Sequence, residues 1–186
     1  MQPNLSRPAR RALLVVHVVV SVGWLGLTLC LLALGVAGAA SGSADTAEAA
    51  YRAMKVFGDW LIVPISLASL VSGVVLSLGT PWGLARYRWV VTKFWLTLPA
   101  AGASVLALRA EIDSAAADAS AGRAVPAATD LVIAPSVALG VYVFLTAVSV
   151  LKPWGLTARG RRMRAGSGPA GARTRSGPRA AARSQV

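Results

Sequence analysis

Four long runs of apolar residues, separated by short polar segments, dominate this chain. The first run covers residues 13–36 and is interrupted only by small residues, Thr28, Cys30 and His17. At 1.5 Å per residue, a helix of that length is roughly 36 Å long, enough to cross a hydrocarbon core of about 30 Å. Three further runs have the same character. The pattern therefore predicts an all-α membrane protein, a bundle of four transmembrane helices.

The predicted organisation is one membrane domain, residues 12–151, between two polar ends. Its four spans are predicted at about residues 12–37, 57–79, 89–109 and 131–151. Residues 1–11 form a short N-terminal segment. Residues 152–186 are rich in Arg, Gly, Ser, Pro and Ala and contain few large apolar residues, which predicts a disordered tail.

Composition agrees with the membrane class. Of the 186 residues, 55% are hydrophobic and 14% are charged, and the mean hydropathy is +0.61. These values lie outside the usual range of soluble proteins. The one cysteine, Cys30, lies inside the first run, so the chain can form no intramolecular disulfide and no thiolate zinc site.

Charge is distributed unevenly between the two sides of the predicted bundle. Fifteen of the nineteen Lys and Arg residues, and no acid, fall in the N-terminal segment, the start of the third span with the turn before it, and the tail. The other two polar segments hold all seven Asp and Glu residues. Because cytoplasmic loops carry an excess of Lys and Arg, we expect both termini in the cytoplasm and the protein in the cell membrane.

The tail, residues 152–186, contains nine Lys and Arg residues, and they bear on the choice between lipid and nucleic acid as partners. They favour contact with anionic lipid headgroups, worth about 1 kcal/mol for each cation near the surface. The lipid bilayer is therefore the first expected partner. Nucleic acid is not expected, since the tail arginines are not interleaved with aromatic residues that stack on bases.

A secretory signal peptide is an alternative interpretation of the first run. Basic residues, an apolar run and the small residues at 37–43 also describe such a peptide, and its cleavage would leave three spans. The length of the run favours a permanent span, since the apolar core of a signal peptide usually has about 7–15 residues.

A polar stripe runs along the first predicted helix. His17, Ser21, Trp24 and Thr28 stand at positions i, i+4, i+7 and i+11, which places them on one helical face. Trp24 lies roughly 17 Å into the run, near the middle of the membrane, so its indole N–H needs a partner inside the bundle. The stripe is therefore expected to face the other helices.

His17 and Trp24 are the candidate cofactor-binding residues. In one interpretation His17 is an axial ligand of haem b, or a copper ligand, with Trp24 lining the site. In the other, His17 is a bundle-facing or snorkelling histidine, hydrogen bonded to a serine or a backbone carbonyl. The chain has no second histidine, and Cys30 lies about 20 Å further along the helix axis. A haem would therefore be five-coordinate or would lie at a homodimer interface.

Polar residues in the other spans give further expectations. In the second span, Ser69, Gly73 and Ser77 recur at every fourth position, a pattern that lets helices approach closely, so this face is expected to contact the bundle. Lys93 stands within one turn of the start of the third span, where its long side chain can reach the headgroups.

Acidic residues stand only outside the apolar runs or at their ends. Asp59 and Asp130, at the starts of the second and fourth spans, are expected to be solvated or paired with Lys55 or Arg52. The absence of a carboxylate deep within a span is unfavourable to a proton-relay transporter. The sequence also contains no phosphate-binding glycine loop, no HExxH motif and no Ser, His and Asp set, so an enzyme is not expected.

Three functions therefore remain open. The first is a non-enzymatic membrane component, acting as a homo-oligomer or as the accessory of a partner membrane protein. The second is a haem- or copper-binding protein that uses His17. The third is an oligomeric transporter of small solutes.

Three segments resemble a family of predicted bacterial integral membrane proteins of unknown function, especially its actinobacterial members. They are HVVVSVGWLG at residues 17–26, the segment from YRAMKVFGDW to RWVVTK at residues 51–93, and LKPWGLTARGRR at residues 151–162. The resemblance implies four spans and no established activity. The element HVVVSVGWLG also resembles the first helix of copper-resistance D-type membrane domains, which implies copper.

Overall fold

The computed structural model describes residues 5–79 and 85–166. Seven α-helices lie in these ranges: α1 Arg7–Ala40, α2 Ala44–Phe57, α3 Val63–Leu78, α4 Arg88–Gly102, α5 Arg109–Ser120, α6 Asp130–Leu151 and α7 Ala158–Gly166. Three shorter turns join them: the π-helical turns Gly58–Ile62 and Ala103–Leu108, and the 3-10 turn Pro126–Ala128.

The first helix has recognisable signals at both ends. Ser6 is its N-cap, and the side chain of Ser6 accepts a hydrogen bond from the backbone N–H of Ala9 at 3.4 Å. Pro8 lies in the first turn, where a proline costs no helical hydrogen bond. The helix ends at Ala40 because Ser41 adopts an extended conformation. The resulting 34 residues exceed the span predicted from hydropathy at both ends.

The second and third spans are each built from two α-helices joined through a π-helical turn. The turn Gly58–Ile62 joins α2 to α3, so the helix that begins at Ala44 runs on to Leu78, the end of the second span. The turn Ala103–Leu108 joins α4 to α5 in the same way. Four continuous helices are therefore long and apolar enough to cross a membrane, and the predicted four-helix, all-α class is confirmed.

The four long helices alternate in direction, so the starts of α1 and α4 and the ends of α3 and α6 lie together. We call this the basic end, because Arg10, Arg88, Lys93 and Lys152 belong to it, and we call the opposite end the acidic end. Helix α1 packs on α3 and α6, and α4 also packs on both, which closes a ring of four helices. At the acidic end α2 packs on α1 and α5.

The tightly packed core lies toward the acidic end. Tyr51, Met54, Ile112 and Leu131 are at most 1% exposed there, in one cluster with residues of α1 and both π-helical turns. Gly35 lets α1 approach α6 closely, since a Cβ atom at this position would lie 2.4 Å from the backbone oxygen of Leu131. This half of the bundle is therefore filled by its own side chains.

Ion pairs connect the helices at the acidic end. Lys55 lies 3.1 Å from Asp59 and 2.5 Å from Asp113, and Arg109 lies 3.1 Å from Asp59. The expected pairing of Asp59 with Lys55 is thus confirmed. Lys55 precedes the apolar run that begins at Leu61, and the hydrogen bonds it donates to Asp113 and then to Asp59 raise the pKa of the Lys55 ammonium above its usual 10.5.

At the basic end, the segments before α4 and after α6 pair with each other. Tyr87 and Leu156 form an antiparallel bridge, and the Thr157 hydroxyl donates to the backbone oxygen of Ala85 at 2.7 Å. Thr157 also accepts from the N–H of Gly160 and so caps α7. The predicted disordered tail therefore contains a helix at its start, while residues 167–186 lie outside the described part.

Candidate ligand-binding cavity

A cavity of about 690 Å³ lies between α1, α3, α4 and α6, in the half of the bundle nearer the basic end. Small-molecule sites in proteins typically have 300–1,000 Å³. Its walls combine apolar side chains with hydroxyls, one imidazole and cations. The cavity thus occupies the half that the packed core leaves open, and we call it the basic-end cavity.

Aromatic side chains separate the cavity from the packed core. The rings of Trp24 and Tyr142 lie 4.7 Å apart, centre to centre, and both residues are under 10% exposed. Ala101 and Leu145 complete this buried cluster. The prediction that Trp24 faces the bundle is correct. Its indole N–H, which was expected to find a partner there, makes no hydrogen bond within residues 5–79 and 85–166.

The polar stripe of α1 faces the bundle, as expected, and the helix it lies against is α3. His17 Nδ1 lies 2.9 Å from Ser72 Oγ, and Ser21 Oγ lies 3.0 Å from Ser69 Oγ. Thr28 closes the stripe by donating its hydroxyl to the backbone oxygen of Trp24. These contacts make the polar residues of two helices partners of each other, which is how polar groups are accommodated inside a membrane protein.

The partners of Ser72 determine which nitrogen of His17 carries the proton. The Ser72 hydroxyl has one proton, and its Oγ lies 2.6 Å from the backbone oxygen of Ala68, an atom that can only accept. Ser72 therefore donates to Ala68 and accepts from His17 Nδ1–H. Neutral His17 then keeps a lone pair on Nε2, and His17 is one of the residues that line the cavity.

Gly73 provides the space that the imidazole occupies. A Cβ atom at residue 73 would lie 3.1 Å from Cε1 of His17, closer than ordinary van der Waals contact. Ser69 and Ser72, on the neighbouring turns of α3, are buried at 6% and 5% exposure. The small residues of α3 therefore do face the bundle, and Gly73 lies against His17.

Lys93 has a hydrogen-bond partner that the sequence did not predict. Its ammonium donates to the hydroxyl of Ser149 on α6, in a partly buried position, and Lys93 lines the cavity. The expected reach to the headgroups stays a prediction. The structure adds a partner for the ammonium, because α6 offers a hydroxyl acceptor across the bundle at the same height. Arg10 and Lys152 also line the cavity.

Metal ligands other than His17 are not brought to this cavity. The side chain of Cys30 is exposed on the surface of α1, and the described residues contain no group of three His, Cys, Asp or Glu side chains that could hold a metal ion. A copper site needs further nitrogen or sulfur ligands. The residues present therefore do not fit copper, whereas a single imidazole fits a five-coordinate haem.

Sequence comparison identifies the family. Residues 11–152 match the model of DUF2269, described as a predicted integral membrane protein family. The chain belongs to DUF2269. Membership agrees with the four apolar helices, and the matched range includes every residue that lines the cavity except Arg10. Among curated proteins and among solved structures, no protein matches this DUF2269 member.

Sequence reasoning found some of the cavity residues and missed others. The helical stripe identified His17 and Trp24, and both line the cavity. Tyr142 and Ser149 were missed, because a tyrosine and a serine within an apolar run are unremarkable until the helix opposite is known. The one available signal was Lys93, a cation inside a predicted span.

Proposed function

We propose that this DUF2269 protein is a non-enzymatic membrane component that binds a small amphipathic ligand in the basic-end cavity. The observation that carries the proposal is the cavity itself: about 690 Å³ bordered by four helices and partly open to the surroundings, in a bundle whose other half is tightly packed. Its lining is apolar with a few polar groups, which is the usual composition of a ligand site.

The hydrogen bonding of Ser72 supports a binding role over a catalytic one. In a serine hydrolase the nucleophilic hydroxyl gives its proton to a histidine. Here Ser72 gives its proton to the backbone oxygen of Ala68 and accepts one from His17. The hydrogen bond between Ser72 and His17 therefore joins two helices, and it does not activate the serine as a nucleophile.

The charge distribution supports the orientation that we propose. Fifteen of the nineteen Lys and Arg residues belong to the N-terminal segment, to the start of the third span with the turn before it, and to the tail, so the basic end faces the cytoplasm of the cell and both termini lie inside. The cavity then lies in the cytoplasmic half of the cell membrane. In this position the basic tail meets anionic headgroups of the same leaflet.

Filling the cavity tests the proposal. We would purify the protein in a mild neutral detergent and identify the small molecules that remain bound by native mass spectrometry. Thr97→Phe places a large side chain in the cavity lining. Leu98→Phe, at a neighbouring residue that is 42% exposed and does not line the cavity, is the matched control.

We expect the wild type and Leu98→Phe to retain the same small molecule, and Thr97→Phe to lose it. Both variants should elute from gel filtration as the wild type does. Retention of the same molecule by folded Thr97→Phe, or a wild type that carries none from any host membrane, contradicts the proposal.

Haem b is a second candidate ligand, favoured by the lone pair on His17 Nε2. His17 would hold the iron, Trp24 and Tyr142 would contact the macrocycle, and Arg10 would pair with a carboxylate of the haem. The test is an absorbance spectrum of purified protein supplied with haem. Haem bound through His17 gives a stoichiometric Soret band in the wild type that is lost in His17→Ala, and an equal band in both contradicts this candidate.

A further inference from the structure

We infer that the ligand of the basic-end cavity is an anionic amphiphile whose carboxylate or phosphate head is bound by Lys93. This inference rests on the proposed function and specifies the chemistry of the same site. It follows from the position of Lys93, from the location of the acidic residues and from the graded polarity of the cavity wall.

Lys93 holds a positive charge inside the bundle. It stands five residues into α4, about 8 Å along the helix axis from Arg88. Its ammonium donates to Ser149, whose neutral hydroxyl satisfies one hydrogen bond but supplies no countercharge. A partly buried ammonium in a membrane helix is costly unless an opposite charge lies nearby.

No acidic side chain reaches Lys93 within the described residues. The seven acids of the chain belong to α2, α5, the first π-helical turn and the first residue of α6, all toward the acidic end. Asp59 and Asp113 are paired with Lys55 there. Arg109, which pairs with Asp59, lies sixteen residues beyond Lys93, about 24 Å along the same helix. A bound anion would supply the countercharge that the acidic side chains do not.

Other cations reinforce the same sign of charge. Arg10 and Lys152 line the cavity from α1 and from the end of α6. A cleft lined by one sign of charge, with walls of low dielectric constant, concentrates ions of the opposite sign. The electrostatics of the basic end thus favour an anion over a neutral or cationic ligand.

The cavity becomes apolar toward the middle of the bundle. Beyond Lys93 its wall is formed by Phe94, Leu145 and the paired rings of Trp24 and Tyr142. A ligand that fills both regions needs an anionic head at the basic end and an apolar body directed toward Trp24. Fatty acids and single-chain phospholipids both have this chemistry.

The test compares three probes with the same acyl chain: a fatty acid, a lysophosphatidic acid and a monoacylglycerol. Binding to the purified full-length protein in neutral detergent is followed by tryptophan fluorescence, since Trp24 and Trp89 line the cavity. The variants are Lys93→Gln, which keeps a donor for Ser149, and Lys93→Arg, which keeps the charge. Arg11→Gln removes one exposed charge at the same end and is the matched control.

We expect the wild type to bind one or both anions more tightly than the monoacylglycerol. Lys93→Gln should weaken binding of the anion at least about tenfold, because it removes a charge-assisted hydrogen bond, and should leave the neutral probe unchanged. Lys93→Arg should recover most of the affinity, and Arg11→Gln should bind as the wild type does. Comparing the two anions shows whether a carboxylate or a phosphate is preferred.

The remaining outcomes distinguish a failure of the inference about Lys93 from a failure of the proposed binding function. If all three probes bind equally, or if Lys93→Gln binds the anions as the wild type does, the cavity is a ligand site and the inference about charge is wrong. If none of the probes binds to folded wild-type protein, both the inference and the proposed binding function are overturned. Melting temperatures of every variant confirm that a loss of binding is not a loss of fold.

Discussion

The Nδ1 atom of His17 and the Oγ atom of Ser72 lie 2.9 Å apart, and this hydrogen bond joins α1 to α3 beside the cavity. It also leaves Nε2 as the acceptor nitrogen of the ring, because Ser72 gives its own proton to Ala68. One contact thus supports the packing of two helices and fixes the chemistry that His17 presents to a ligand.

Removing the serine should destabilise the protein measurably. In Ser72→Ala, His17 Nδ1–H loses its acceptor, and interhelical hydrogen bonds in membrane proteins are worth about 0.6 kcal/mol on average and up to about 1.7 kcal/mol. The melting temperature in detergent should therefore fall. Ser136→Ala is the control, because Ser136 is exposed and donates only within its own helix. Equal melting temperatures for the two variants would show that the His17 contact contributes nothing.

Gly35→Ala should destabilise the protein, although a change from Gly to Ala within a helix is usually stabilising. The added Cβ atom would lie 2.4 Å from the backbone oxygen of Leu131, so α1 must move away from α6 at a cost of about 1–3 kcal/mol. Gly26→Ala, on the same helix, places its Cβ atom in open space and should be neutral or slightly stabilising. Thermal unfolding followed by circular dichroism checks both, and an unchanged Gly35→Ala would contradict the close approach.

The ion pairs of Lys55 predict a dependence of stability on alkaline pH. Because the pKa of Lys55 is raised in the folded protein, its contribution is complete below the usual value of 10.5 and is lost as pH rises through the folded value. The melting temperature of the wild type should therefore fall further above pH 10.5 than that of Lys55→Met. Arg52→Met, which removes an exposed pair with Glu48, should retain the wild-type pH profile.

The proposed orientation predicts which end of the bundle is reached from outside the cell. In a Cys30→Ser background, a membrane-impermeant maleimide should label Ser43→Cys, between α1 and α2, in intact cells. Ala9→Cys, at the basic end, should react only after the membrane is permeabilised. Both sites are exposed on the protein surface, so the difference reports sidedness. Reaction of the Ala9→Cys protein in intact cells would reverse the orientation.

The number and nature of the spans could be predicted because hydropathy and length alone decide them. The face of α1 that meets the bundle was also accessible, since His17, Ser21, Trp24 and Thr28 repeat with helical periodicity. Which helix they meet was not, because Ser72 and Ser69 resemble other serines in apolar runs. The π-helical turns also escaped prediction, as no residue pattern in Gly58–Ile62 distinguishes an extra residue from an ordinary helical turn.

Lys93 shows why the cavity could not be predicted. From the sequence, a lysine near the end of a span is expected to reach toward the headgroups, because water is close and the side chain is long. The structure gives it a further partner that the sequence did not indicate, Ser149, a residue 56 positions away on α6. Such a contact depends on the angular position of two helices, and apolar runs contain little information about that angle.

The π-helical turn Gly58–Ile62 is a place where the second helix can change its length by one residue. Each residue rotates an α-helix by about 100°, and a π-helical turn accommodates one residue more than an α-helical turn. Deleting a single residue there would turn it into an α-helical turn and leave Ser69 and Ser72 against α1, whereas a deletion between Val63 and Ser69 would rotate both serines toward lipid. We therefore expect a related chain that is one residue shorter in this helix to have its gap at Gly58–Ile62.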